Sequence, residues 1–476
     1  MRPLFILFLL VAASAEAFSQ DDTSKQVVTY KDHIAPVLRK HCGNCHNADE
    51  AKSDLNLMTY QSLLSGGSSG PAVAPGSAEQ SRLYRLVSHQ EEPAMPPRQS
   101  KLADSDLALI AKWIDAGAPE TAVSAAQMSV RKTDIDLTAI ESDKPSGAGA
   151  MPESLPVGPL PPTLRAPAVT ALEASPWAPL LAVSGHECVL LYDSDSFRLL
   201  GVLPFPEGVV HVLRFSRNGE LLLAAGGRGA EQGLVVLFEV RTGKRLAEIG
   251  DESDSVLAAD ISPDQTRVAL GGPEKLVKVF STATGEQIYE IKKHTDWVTA
   301  IEFSPDGNYL ASGDRNGGAF VWEAANGGIV FTLGDHKEMI TQASWRADSQ
   351  MLATASEDGR VILWYAEDGF PARSVNAHAV GNDPRGNSRQ KVPGVLSVRF
   401  ARSGDFATVG RDSSAKIWSN TGARNDAKFE GFKQIPSRVC FSHDGRSMIA
   451  GDLTGTIRAW DIQGKTLIKE FSTQRN

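Results

Sequence analysis

The chain has 476 residues, more than one ordinary domain holds, and its 42% hydrophobic and 22% charged residues have the balance of a globular protein. A formal net charge of -9 gives no support to nucleic-acid binding, and no nucleic-acid partner is expected. At the N-terminus Arg2 precedes an apolar run from Leu4 to Ala13 and the small residues Ala13-Ser14-Ala15-Glu16-Ala17. That pattern predicts a secretory signal peptide over residues 1–17, cleaved after Ala15 or Ala17. The run is short for a bilayer, though an uncleaved anchor is the alternative. No later stretch reaches the length of a membrane helix, so no membrane span is expected after cleavage.

Residues 27–118 form the first expected domain. Ile34, Val37 and Leu38 recur at helical spacing from Thr29 to His41, with Pro36 marking a kink or a helix start. The helix leads into Cys42-Gly43-Asn44-Cys45-His46. Two thiols three positions apart on a helical turn face one way and can both reach the edge of a haem, while the next histidine turns onto its iron. This is the attachment pattern of c-type haem. A zinc site needs two more ligands, and the other cysteines, Cys188 and Cys440, are far along the chain. A redox pair belongs beside a βαβ unit, and none follows. Leu55, Leu57 and Met58 form a short apolar segment, then come turn residues from Gly66 to Pro71. Ser77 is expected to N-cap a helix that buries Leu83, Leu86 and Val87. Asp104 caps a last helix with Leu107, Ile110, Ala111, Trp113 and Ile114 on one face, ending at Gly117.

These ninety or so residues resemble the planctomycete-type cytochrome c domain. The resemblance rests on Cys42 to His46, Gly66-Gly67 with Pro75-Gly76, Met95-Pro96-Pro97, and Trp113 to Gly117. It implies a small all-α fold and one covalent haem c on Cys42 and Cys45. The iron would lie between His46 and the methionine of the Met-Pro-Pro run, here Met95. A thioether opposite histidine stabilises ferrous iron, and the neighbouring prolines hold the ligand loop. Met58 reads as packing, His89 would give a bis-histidine alternative, and His33 and His41 read as surface residues. With both axial positions filled the iron has no open site, which favours electron transfer over catalysis. No catalytic residue is named.

Residues 119–166 lose periodicity and fill with Pro, Ala, Ser and Gly, as a linker does; Val130–Ile140 could add one docked strand. From 167 to 472 the chain repeats itself. Aromatics end short apolar strands at Tyr192, Phe238, Phe280, Trp322, Trp364, Trp418 and Trp460, and four of the six intervals are 42 residues. Turns such as Phe303-Ser304-Pro305-Asp306-Gly307 precede most of them. A period in the forties with four strands per unit marks a seven-bladed all-β propeller of WD repeats. One blade is expected from Val298–Phe303, Leu310–Ser312, Ala319–Trp322 and Ile329–Leu333. The repeat's aspartate, six positions before the aromatic, survives as Asp358 and Asp412 but is Asn316, Thr454, Glu274, Gln232 and His186 elsewhere. In the family that residue ties the blade together, so its loss questions blade stability.

Nothing in the repeats groups into a nucleophile, base and orienter. Trp297 and Trp345 read as core or rim packing, with ligand platforms as the alternative. An insertion from Ala379 to Pro393 carries Arg385, Arg389 and Lys391; it reads as a solvated loop or as a contact for an acidic partner. Cys188 and Cys440 fall in the first and last blades but two strands apart in depth, which predicts free buried thiols rather than a bridge. The expected protein is an exported, periplasmic electron carrier with a redox protein partner, and its propeller binds a protein. The alternatives are a scaffold with a sensory or structural haem, and an oxidoreductase whose haem accepts electrons from a substrate on the propeller.

Overall fold

The computed structural model describes residues 28–120, except 49, 69, 71, 75 and 80, together with 144–157, 165–378 and 394–474. The signal peptide, the Val130–Ile140 strand and the Ala379–Pro393 insertion lie outside the described residues. The chain divides into two compact units, 1–129 and 130–476.

In the first unit a single π-helical turn, Tyr30–Ile34, is capped by Thr29, whose Oγ1 accepts from the Asp32 N–H at 3.3 Å. It runs directly into α1, Ala35–His41. Pro36 falls in the first turn of α1, where a missing N–H is harmless. Three further helices follow: α2 (Tyr60–Ser65), α3 (Arg82–Val87) and α4 (Asp104–Asp115). The expected start of α3 at Ser77 is wrong. Ser81 is the N-cap residue, and its fully buried hydroxyl accepts from the Ala74 N–H at 2.8 Å and donates to Ser77 O at 2.9 Å. These bonds hold Ala74 and Ser77 against Ser81. In α4 Ala103 holds the N-cap position, and Asp104 is the first helical residue, paired with Lys101 at 2.8 Å. Leu107, Ile110, Trp113 and Ile114 are buried as their spacing requires, against Ile34, Leu38, Leu57 and Leu63. The Trp113 Nε1–H donates to Pro119 O at 2.9 Å and anchors the end of the unit.

The second unit is a propeller of seven four-stranded antiparallel sheets, spanning 172–204, 209–252, 258–291, 298–333, 340–376, 395–429 and 436–472. The first strand of each blade lies innermost, touching the first strands of its neighbours. All seven aromatics of the repeat fall on third strands. Blade four has strands Val298–Phe303, Tyr309–Asp314, Ala319–Glu323 and Ile329–Leu333, close to the spans expected from sequence. Every neighbouring pair of blades shares a hydrophobic core, blades seven and one included. Each blade is continuous in sequence, so no strand is shared across that seam. Two backbone ties support it: the Val169 N–H donates to Asp452 O at 3.1 Å, and Ser437 Oγ donates to Val169 O at 2.6 Å.

The histidines of the middle blades are buried structural groups. In blade five His336 lies 2.9 Å from Asp358 and 2.8 Å from Thr354 Oγ1, which also accepts from Trp364 Nε1–H at 2.8 Å. His378, Asp412, Thr408 and Trp418 repeat the set in blade six. In blade four His294, Ser312 and Trp322 do so with Asp314, which replaces the aspartate missing at Asn316 from two positions earlier. Elsewhere the hydroxyl position is Val183, Ala224, Leu270 or Ala450, and apolar packing replaces the network. Asp452 in blade seven pairs instead with the buried Arg458 at 3.3 Å.

Burial alone would raise Asp412, but the hydrogen bond and charge of His378, with Lys416 and Ser414, hold it far below the usual carboxylate range. His378 is itself lowered by burial, which Asp412 only partly offsets. Both shifts give stability that is present near neutral pH and lost on acidification. The His378 part fades as pH falls below about 6.5, and the Asp412 part as pH falls below about 4 toward its folded value. Asp412→Ala leaves a buried imidazole N–H unpaired and is expected to destabilise the propeller by about 2–3 kcal/mol at pH 7. The deficit should widen from pH 7 to about pH 5, because the imidazole that has lost Asp412 resists protonation more than the paired one, as read by denaturant melts at both pH values. A constant deficit would contradict the assignment.

Cys188 and Cys440 are free and buried in the same core at the seam between blades seven and one. Cys440 lies on an innermost strand and Cys188 on a third strand, at different depths. Burial raises both thiols, that of Cys188 to about 11. Thiol counting on unfolded, unreduced protein is expected to find both reactive; neither reacting would mean that a bridge forms.

Part of the stretch read as linker is packed. Ala150 and Leu155 are buried in the core between blades one and two. The Glu153 N–H donates to Arg241 O at 3.0 Å, and the Val202 N–H donates to Pro156 O at 3.2 Å. Gly201 makes room for this strap, since a Cβ there would sit 2.4 Å from Leu155 Cβ.

Candidate functional site

The first unit encloses a cavity of about 420 Å³, within the roughly 300–1,000 Å³ usual for sites that bury a cofactor-sized ligand. One wall is the end of α1. The Cys42 N–H donates to Leu38 O at 2.8 Å, and the chain then makes one more turn, with the N–H groups of Cys45 and His46 both donating to Cys42 O, at 3.1 and 3.0 Å. That turn puts Cys42, Cys45 and His46 on the cavity together. Gly43 is required inside it, because a Cβ would lie 2.6 Å from Arg39 O. Gly67, on the far rim, is equally confined, with a Cβ 2.5 Å from Ser53 O.

His46 Nδ1 lies 3.2 Å from Leu55 O. A carbonyl only accepts, so Nδ1 carries the proton and Nε2 keeps a lone pair for a metal. Both thiols are half-buried, and burial together with the adjacent Cys45 pushes the Cys42 thiol up to about 11. The cavity is also lined by α3 and the loop after it. Met95 reaches the cavity with Pro93, Pro96 and Pro97 beside it, and its N–H donates to Leu86 O at 3.0 Å. Glu91 ties the loop to α3 through Arg82 at 3.0 Å and Arg85 at 2.8 Å. Leu55, Leu57, Leu83 and Val87 make the rest of the lining largely apolar.

Neither alternative ligand lines the cavity. His89 is exposed and directs Nε2 at Met95 O, 3.2 Å away; Met58 packs against the helical core. His33 Nδ1 accepts from the Thr29 N–H at 3.1 Å. His41, expected at the surface, instead lines the cavity and meets Asp106 at 3.4 Å. Its position at the last residue of α1, one before Cys42, was the signal for that.

In the propeller, Ser312, His294 and Asp314 have the connectivity of a hydrolytic triad, but all three are buried, and the serine is occupied by Trp322. Trp345 is core, its Nε1–H donating to Glu302 O at 3.1 Å. Trp297 sits at the rim, 41% exposed, under the Arg315 guanidinium. No helix among the described residues is long and apolar enough to cross a membrane.

The family model of Planctomycete cytochrome C matches residues 42–99, a span that holds every cavity-lining residue named above except His41. The WD domain, G-beta repeat model matches residues 285–323, 327–365, 387–419 and 427–461. Those spans hold the four third strands that end in tryptophan, and the blades ending in Tyr192, Phe238 and Phe280 go unmatched. A search of curated proteins finds no match. The chain thus joins a cytochrome c domain to a propeller of WD repeats, a protein-interaction module.

Proposed function

We propose that this protein is an exported c-type cytochrome, which carries electrons through one covalent haem and binds a protein partner on its propeller. The observation that carries the reading is the convergence of Cys42, Cys45, His46 and Met95 on one cavity. A donor set of two thiols, one imidazole with its metal-binding nitrogen free and one thioether, in an apolar enclosure, fits haem c and fits few other groups. The haem would supply a one-electron iron couple. Cys42 and Cys45 would fix its edge as thioethers, and His46, oriented by Leu55 O, would hold one axial position.

Met95 would hold the other axial position, kept in place by its bond to Leu86 O. Its soft sulfur favours ferrous iron, and the leucine and valine walls exclude water that would stabilise the ferric charge. With His46 and Met95 both holding the iron, the residues would serve an electron carrier rather than bind a substrate. The apolar run from Leu4 to Ala13, read as part of a leader, supports export, since c-type haem is attached outside the bacterial cytoplasm. Mediated redox titration of the purified holoprotein tests this: one reversible one-electron wave is expected. Haem that does not cycle would leave a structural role.

A further inference from the structure

The loop that carries Met95 turns back along α3. After Val87 the N–H groups of Gln90 and Glu91 both donate to Arg85 O, at 2.8 and 3.2 Å, and the Met95 N–H donates to the neighbouring Leu86 O at 3.0 Å. Only Glu92, Pro93 and Ala94 separate Glu91 from Met95. Glu92 and Pro93 are exposed, Ala94 is half-buried, and Pro96 is the first buried residue after Val87. Packing therefore does little to hold the stretch just before Met95. The His89 ring, with Nε2 3.2 Å from Met95 O, belongs to the same loop and moves with it, as does the bond from the Ala94 N–H to Glu92.

The fixed body beside the loop is α3. Arg82 and Arg85 stand three positions apart on it and so share a face. The Glu91 carboxylate spans them, with Oε1 accepting from Arg82 Nε–H at 3.0 Å and Oε2 from Arg85 Nε–H at 2.8 Å. Among the described residues these are the only ion pairs that the loop makes. Arg85 is braced in turn, its Nη1–H donating to Glu79 O at 3.0 Å. Arg82 lines the same cavity as Met95. The hydrogen bond from Arg85, and then that from Arg82, holds the Glu91 carboxyl below its ordinary value, so it stays ionised. Pairs that are one-third exposed add little to the stability of a whole domain. Their leverage is local, because they close a short loop whose far end carries a ligand.

We propose that Glu91 is a positioning residue for the axial ligand: by pinning its loop to Arg82 and Arg85 it slows the departure of Met95 from the iron. This rests on the reading of Met95 as that ligand. The test is cyanide binding to the ferric full-length holoprotein, at cyanide concentrations where the rate no longer rises and equals the rate of Met95 departure. Glu91→Gln is expected to keep the sulfur-to-iron band and to raise the saturating rate about fivefold, since two exposed ion pairs are lost. Glu91→Asp should fall between the two. Arg82→Gln/Arg85→Gln should match Glu91→Gln, and adding Glu91→Gln to it should raise the rate no further. Salt should speed the wild type and leave Glu91→Gln nearly unchanged, because screening weakens exposed pairs. A merely structural role would lower the unit's Tm and leave the saturating rate alone. An unchanged rate in Glu91→Gln overturns the proposal, as does a further rise in the triple variant. If the arginine variants do not fold, Glu91→Gln and the salt dependence decide. A wild type without the sulfur-to-iron band would instead remove the ligand reading itself, whereas a wild-type band with an unchanged rate overturns this proposal alone.

Discussion

Acid–acetone extraction of the denatured protein is expected to leave its haem on the polypeptide, and the Cys42→Ala/Cys45→Ala double variant is expected to release essentially all of it. Acid breaks axial coordination by protonating His46, so only thioether bonds survive the treatment. Each single variant keeps one thioether and should retain most of its haem. The consequence reaches the fold of the first unit. Its cavity of about 420 Å³ lies against α1 and α3. Without the haem, water replaces it against the leucine and valine side chains, and each such side chain left wet forgoes about 1.5–3 kcal/mol. A small domain has only about 5–15 kcal/mol in total, so losing even part of that amount matters. The double variant should therefore lose the helical unit's cooperative melting transition while the propeller's persists. Haem that extracts from the wild type would remove the covalent assignment.

Met95→Ala is expected to abolish the sulfur-to-iron charge-transfer band completely and to open the sixth position to cyanide. The argument is geometric. Met95 lines the same cavity as His46, whereas His89 and Met58 do not line it. The reduction potential should fall, because water or a harder ligand replaces the thioether and favours ferric iron. Met58→Ala is the control: that side chain is half-buried against the core, so it should cost some stability and leave the spectrum unchanged. An unchanged spectrum in Met95→Ala would move the assignment to His89. Replacing His89 should otherwise leave the band in place.

Much of this was legible because the informative residues are bound by local geometry. The Cys42 to His46 run works as one turn, so its spacing carries its meaning. The third-strand aromatics recur because each blade repeats one packing problem. Features that depend on partners distant in sequence were not legible. Ser77 has the composition of a cap, yet the buried bonds of Ser81 to Ala74 and Ser77 delay the helix. Asn316 looks like a lost aspartate, but Asp314 at the end of the second strand reaches the same histidine. The proline-rich strap resembles linker throughout, and only the groove over Gly201 explains why Leu155 is buried.

The seam between blades seven and one has a consequence for how the ring can be opened. In it Leu181, Val183, Ile449 and Ile457 are fully buried, and each such side chain contributes about 1.5–3 kcal/mol, as at any other junction of blades. The two ends of the propeller chain already meet there, with Thr473 Oγ1 donating to Pro167 O at 3.4 Å. Because every blade is one uninterrupted stretch of chain, the ring has no obligatory first member. Joining Thr473 to Pro167 through a short glycine-rich bridge and starting the chain instead at Gly334, between blades four and five, preserves every sheet. Such a circular permutant should fold to the same propeller, with its weakest junction moved away from the cysteines.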